Sequence, residues 1–197
     1  MHSEIKDFIN SSVEGAQATL PEIENGEQSI YVNKDKIVEV CTALRDSEKY
    51  HFNVLQVISG VDYENHIDVS YILASFDFDK ADHQLILSVK LEDRENPTIS
   101  TVSGVYKAAN WQERECYDML GVTFENHPDP RRILCPEDWE GFPLRKDYEA
   151  SKYYRDMEVY PDAKMNFDDR EFADKQKALE KAEKEKAKAA EEAAKQE

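Results

Sequence analysis

Between Asn110 and Leu134 the sequence runs NWQERECYDMLGVTFENHPDPRRIL, which crowds Glu113, Arg114, Glu115, Cys116 and Asp118 together and places His127, Arg131 and Arg132 just behind them. Such residues could support acid/base, thiol or metal chemistry, but their spacing argues against each. Glu113 and Glu115 are two apart, and on a helix such residues point to nearly opposite sides, so they cannot converge on one substrate atom. A Cys116–His127 dyad, the basis of an independent thiol enzyme, would need an orienting group and an oxyanion site that no motif supplies. His127 has no second His, Cys or Asp at ligand spacing. Without a Gly-rich phosphate loop or a nucleophile elbow, Arg and carboxylates around Trp111 read as a recognition surface. No catalytic, cofactor-binding or metal-ligating residue is assigned.

The element that must carry these groups is a helix from Trp111 to Leu120. Asn110 and Glu113 stand at the spacing of a capping box, and Gly121 follows Leu120 where a helix end needs a residue that tolerates positive φ. Ala109, Gln112, Cys116 and Met119 form the stripe expected to pack on a sheet, which makes Cys116 a core thiol. Glu115 and Asp118 are three apart and Arg114 lies four before Asp118, so with Trp111 they are expected to form one polar and aromatic surface.

The sheet is read from alternation. HFNVLQVISGVDY, HIDVSYILASF and HQLILSVKLE are rich in β-branched and aromatic residues, with Ile67, Val69, Tyr71 and Leu73, then Leu85, Leu87, Val89 and Leu91, each lining one face. Their short connections favour antiparallel neighbours. SIYVN adds a short strand, while Ile5, Phe8 and Ile9 mark an N-terminal helix capped by Ser3. Ile37, Val40, Cys41 and Leu44 mark a second helix, and Ile99, Val102 and Tyr106 predict a third within TISTVSGVYKAA. The fold class is α+β: a small mixed, largely antiparallel sheet with helices packed on one face, followed by an extended C-terminal segment. The expected divisions are a compact domain over 1–135, an aromatic-rich partner-binding segment over 136–173, and a Lys/Ala/Glu-rich solvated tail over 174–197 whose only apolar residue of size is Leu179.

The chain has 197 residues with 25 Lys and Arg against 42 Asp and Glu, a formal charge of -17 that repels phosphate backbones and excludes nucleic acid as a partner. Cys41, Cys116 and Cys135 are widely spaced, odd in number and never arranged as CxxC, so neither a disulfide framework nor an iron-sulfur or zinc site is indicated. The acidic N-terminus has no apolar signal-peptide core, and no apolar run reaches about 18 residues, so direct membrane insertion is not expected.

ERECYDMLGVTFENHPDPRRIL resembles the signature of the thirty-kilodalton subunit family of respiratory complex I, which in bacteria is the C subunit of NADH-quinone oxidoreductase. Glu113, Arg114, Glu115, His127, Arg132, Ile133 and Leu134 stand at the matching places. PEDWEGFPLRKDY, from Pro136 to Tyr148, is similar to the block that follows in that family, and VISGVDY to its sheet region. Asn126 departs from the Gly common before the His, and Pro130 from a common Leu; both act on the local path of the loop. The resemblance implies a scaffold subunit of the peripheral arm of a proton-translocating NADH:quinone oxidoreductase, with no flavin, haem or cluster of its own. The assembled complex would use NADH, FMN, iron-sulfur clusters and a quinone. The implied partners are other complex I subunits, above all the quinone-site subunit and the adjacent cluster-carrying subunit, on the cytoplasmic side of the bacterial inner membrane. The residues implied at the subunit interface are Trp111, Arg114, Glu115, Asp118, His127, Arg131, Arg132, Arg145 and Lys146. The equivalent subunit of a membrane-bound hydrogenase, or of another complex-I-like oxidoreductase, is the alternative within the same resemblance.

Overall fold

A computed structural model describes residues 2–22, 27–77, 84–151 and 153–158. Two compact units divide the chain, Met1–Glu149 and Ala150–Glu197. In the first, helix α1 (His2–Ser12) leads into strand β1 (Ser29–Tyr31), a single 3-10 turn (Lys34–Lys36) and helix α2 (Ile37–Asp46). Strands β2 (Val54–Asp62), β3 (Ile67–Ala74) and β4 (Gln84–Leu91) follow, then β5 (Thr98–Ser100), helix α3 (Ala109–Leu120) and β6 (Thr123–Glu125).

The main sheet has the order β1-β4-β3-β2, with β2/β3 and β3/β4 antiparallel and β1 parallel to β4. This is the mixed, largely antiparallel sheet that alternation and loop length predict. Ile67, Val69, Tyr71 and Leu73 on β3, with Leu85, Leu87 and Val89 on β4, are fully buried on one face. Ile5 and Ile9 of α1 and Val40, Cys41 and Leu44 of α2 join the same core. Ser3 lies inside α1 rather than capping it. The opposite face alternates with it and is more polar: the Ser70 and Ser88 hydroxyls meet at 2.9 Å, and Tyr31 donates to Asp68 at 2.6 Å.

Residues 98–108 do not form the predicted helix. Thr98, Ile99 and Ser100 pair in parallel with Thr123, Phe124 and Glu125, so β5 and β6 make a small second sheet, and the chain then turns at Val102–Tyr106. The i, i+3, i+7 placement of Ile99, Val102 and Tyr106 marked burial correctly, since all of them lie in the core. However, a β-branched run followed by Gly104 favours strand and turn, which bury the same side chains by another path. Tyr106 donates its hydroxyl to the Phe52 carbonyl at 2.8 Å, bolting this turn under the sheet.

Residues 136–149 have no regular elements but fall within the first compact unit. The second unit is described through its hairpin of β7 (Tyr153–Tyr154) and β8 (Met157–Glu158), with Arg155 and Asp156 at φ 46° and 63° as a tight two-residue turn requires. Tyr160, Phe167 and the tail over 174–197 lie outside the described residues. Among the described residues, no helix is long and apolar enough to cross a membrane.

α3 reaches the sheet at its β2 edge. The Gln112 side chain accepts from the Ile58 amide at 2.7 Å and donates to the Gln56 carbonyl at 3.1 Å, pairing with backbone groups that an edge strand leaves open. Gly60 allows the close approach, because a Cβ there would overlap Leu120 Cδ1 and crowd Cys116 Sγ at 3.1 Å. Gly60→Ala is therefore expected to lower stability by about 1–3 kcal/mol. The denaturant midpoint reads the effect, and an unchanged midpoint would mean that α3 does not pack tightly on β2.

Candidate functional site

Helix α3 starts at Ala109, and its N-cap, Ala108, makes no side-chain cap bond. The expected Asn110–Glu113 capping box is absent because Glu113 turns inward. It is fully buried, accepting from the Val102 amide at 2.7 Å and from the Thr101 hydroxyl. Burial pushes its carboxyl up to about 7, against the lowering effect of those two bonds. At the other end Gly121, at φ 75°, donates to the Tyr117 carbonyl at 2.8 Å, which is the expected left-handed helix end.

Asp118 departs further from expectation. It is not on an outer surface with Glu115: Glu115 is exposed and Asp118 is fully buried. One Asp118 oxygen accepts the consecutive amides of Ile133, Leu134 and Cys135 at 3.0, 2.6 and 2.9 Å, and the other accepts from Arg132 at 2.8 Å. Burial raises its pKa, but the donors outweigh burial and hold it below the ordinary aspartate value. Consecutive amides closing on one oxygen make an anion nest, so the loop after β6 folds around a helix side chain.

The other predicted residues are built into the same construction. Arg114, only 8% exposed, donates to the carbonyls of Arg131 and Arg132 at 2.9 and 3.3 Å, lies 3.2 Å from Asp129, and sits 5.0 Å from the centre of the Trp111 ring. Arg131 forms a forked pair with Asp129. His127 takes the Asp129 amide on Nδ1 and donates from Nε2 to the Asn110 carbonyl, both at 3.0 Å, which fixes its tautomer. Asn126 before it has φ 61°, a conformation that explains why Gly or Asn suits this position.

The PLRKDY block locks onto α3 and β2. Arg145 donates to the Leu120 carbonyl at 2.7 Å, the Leu144 amide to Met119, and the Lys146 amide to Asp62 at 2.9 Å. The Lys146 ammonium stands outside, 3.8 Å from Glu64. Phe142 lies over Gly121, where a Cβ would meet its ring at 2.5 Å, and the Arg132 and Arg145 guanidiniums sit 5.2 and 4.9 Å from its centre. Sequence reading missed the cluster beneath this block: Arg94 bridges Asp62 at 2.8 Å and Asp147 at 2.6 Å. The acids lie in VISGVDY and PLRKDY, but nothing local identifies Arg94 as their common partner.

Cys116 is buried and its thiol is pushed up to about 12, chiefly by burial and further by the charges of Glu113 and Glu115. With both nitrogens of His127 engaged elsewhere, the Cys116–His127 thiol-enzyme alternative is overturned. Among the described residues no cluster of three or more His, Cys, Asp or Glu could hold a metal ion. The clamps leave large apolar side chains outward: Trp111, Leu134 and Leu144 are 65%, 61% and 62% exposed, with the Leu134 and Leu144 amides bonded to Asp118 and the Met119 carbonyl and the Arg114 guanidinium against the Trp111 ring.

The family profile described as respiratory-chain NADH dehydrogenase, 30 Kd subunit, matches residues 30–154. The chain is 40% identical over 128 residues to the NADH-quinone oxidoreductase C subunit of Chlorobium phaeobacteroides, covering 65% of this chain and 76% of that protein. It is 42% identical over 130 residues to the C subunit of Chloroherpeton thalassium, covering 64% and 52%. It therefore spans about half the length of the latter and of several other relatives. A solved trypsin-resistant fragment (1-134) of Nqo5 superposes with a TM-score of 0.51 at 24% identity, covering 66% of this chain and 99% of that one, a likeness of fold. Signature, fold and relatives agree: the chain belongs to the family of the 30 Kd subunit of the respiratory-chain NADH dehydrogenase.

Proposed function

We propose that this chain is a scaffold subunit of the peripheral arm of a proton-translocating NADH:quinone oxidoreductase, docked against the quinone-site subunit and next to the adjacent cluster-carrying subunit. In this reading the chain carries no cofactor, and NADH, FMN, iron-sulfur clusters and quinone are held by its partners. The complex sits with this arm on the cytoplasmic side of the bacterial inner membrane.

The observation that carries the docking role is the outward display of Trp111, Leu134 and Leu144 around a hydrogen-bonded, ion-paired frame. Large exposed side chains on prefixed backbone lose little conformational freedom on binding, and a central aromatic anchor is the common energetic core of an interface. The predicted interface residues then divide by job. Asp118, Arg114, Arg132, His127 and Arg145 fix the frame, while Trp111, Glu115, Arg131 and the Lys146 ammonium face outward and meet the partner. Outward charges contribute register and encounter rate more than affinity.

Affinity purification of the tagged chain tests the assignment: quinone-site and cluster-carrying subunits should copurify, and recovery as a free monomer would overturn it. Trp111→Ala should reduce the yield of assembled complex severalfold, while stability of the isolated chain shifts by less than about 1 kcal/mol. Normal assembly of that variant would sink the proposed docking surface.

Asp118→Ala should act through the fold, costing about 3–5 kcal/mol because Arg132 and the loop amides lose their buried acceptor. The carboxyl of Asp118 is depressed in the folded state, so its stabilisation is present above the ordinary aspartate value and lost as pH falls through the lower folded value. Acid unfolding curves of the wild type and Asp118→Asn should therefore converge at low pH; a constant gap across the acid range would contradict the assignment.

A further inference from the structure

Of the two buried acids of α3, Glu113 is the one whose surroundings do not commit it to the charged form. Its Oε1 accepts the Val102 amide, and its Oε2 meets the Thr101 hydroxyl. Thr101 Oγ1 also lies 2.8 Å from Ser103 Oγ and receives the Ser103 amide at 3.1 Å. A hydroxyl has one hydrogen, so Thr101 cannot donate to Glu113 and to Ser103 together. With the carboxyl protonated, every group is satisfied in one direction: Glu113 donates to Thr101, Thr101 donates to Ser103, and the remaining Glu113 oxygen accepts from Val102. With the carboxyl ionised, Thr101 must turn its hydrogen to Glu113, and Ser103 becomes the donor to Thr101.

His127 closes the other side, with Nε2 3.6 Å from Glu113 Oε2 while its hydrogen is directed to the Asn110 carbonyl. A cavity of about 250 Å³ is lined by Glu113, His127, Arg114, Tyr117 and Phe124, which gives the buried carboxyl a path for proton exchange. The other titratable and charged groups facing Glu113 are Tyr71 of β3, Cys41 of α2 and Cys116 of α3, with Arg114 on the cavity wall. Tyr71 and Cys41 are fully buried neutral groups, Cys116 is buried, and among the described residues the Tyr71 hydroxyl has no hydrogen-bond partner. Arg114 is already engaged with the carbonyls of Arg131 and Arg132 and with Asp129, so among the described residues no free cation holds Glu113 ionised.

We propose that Glu113 is a proton-binding switch that reads ionisation out through the Thr101–Ser103 hydroxyl relay on one side and His127 on the other. Protonation sets the direction of the relay that anchors the turn before α3. Ionisation reverses it and places a negative charge beside the His127 hydrogen, at the start of the loop that carries Arg131, Arg132 and Leu134. The switch belongs to this chain's own geometry and stands whichever partner the surface docks against.

Carbon-detected NMR of the full chain, with the Glu side chains labelled and residues assigned through the backbone, tests it between pH 5 and 9. The Glu113 carboxyl should titrate near 7, with Thr101 and His127 resonances moving at the same midpoint. Thr101→Val removes the hydroxyl that supports the ionised form and should raise that midpoint; in Glu113→Gln the shared transition should vanish. Glu113 titrating below pH 5, Thr101 and His127 resonances unmoved at its midpoint, or a midpoint indifferent to Thr101→Val would each overturn the proposal. If Glu113→Gln fails to fold, the wild-type and Thr101→Val titrations decide it alone.

Discussion

The position of Asp118 constrains everything from α3 to the PLRKDY block. A carboxylate taken out of water loses several kcal/mol of hydration unless donors replace it. Here the replacement is the consecutive amides of Ile133, Leu134 and Cys135, together with Arg132. Once those amides point inward, the loop path is set and the Leu134 side chain remains outside. Once Arg132 is drawn to Asp118, its guanidinium also covers the Phe142 ring and bonds the Gly141 carbonyl, which brings the next block against Gly121. Two sequence blocks that look like separate motifs are therefore one construction around a single acid.

Asp62 repeats the arrangement at the end of β2. Arg94 grips both of its oxygens, while the amides of Glu64 and Lys146 complete its acceptors. Hydrogen bonding to Arg94 outweighs burial and holds its carboxyl well below the usual range. The chain carries a formal charge of -17, yet the acids that organise this region are internal and already paired. In the proposed docking a partner would meet fixed apolar side chains and outer charges such as Glu115, so long-range repulsion and local docking energy would come from different residues.

Legibility in the sequence followed the reach of the interactions. The period-two burial of Ile67–Leu73 and Leu85–Leu91 is local geometry, and the strands matched it. Gly121 was legible for the same reason, because helix termination needs only the residue itself. The capping box failed because a nonlocal donor, the Val102 amide, competed successfully for Glu113. The helix expected within residues 98–109 is instead β5 and a turn, because hydrophobic spacing reports burial, while the strand is set by pairing with β6. Arg94, Asp62 and Asp147 meet only after the sheet and the C-terminal block are both in place. The internal fate of Arg114 and Asp118 belongs to the same class.

Two buried acids on one helix thus end with opposite proton preferences, and donor count decides the sign. Both lose hydration. Asp118 recovers it from a guanidinium and consecutive amides, whereas Glu113 receives one amide and one hydroxyl that is equally able to accept. The Asp118 contribution appears as pH rises above its depressed folded value. The Glu113 contribution is fully present below the ordinary carboxylate value and lost as pH rises through about 7. Around neutrality the Asp118 clamp is therefore constant, and of the two acids Glu113 is the one whose proton occupancy changes there.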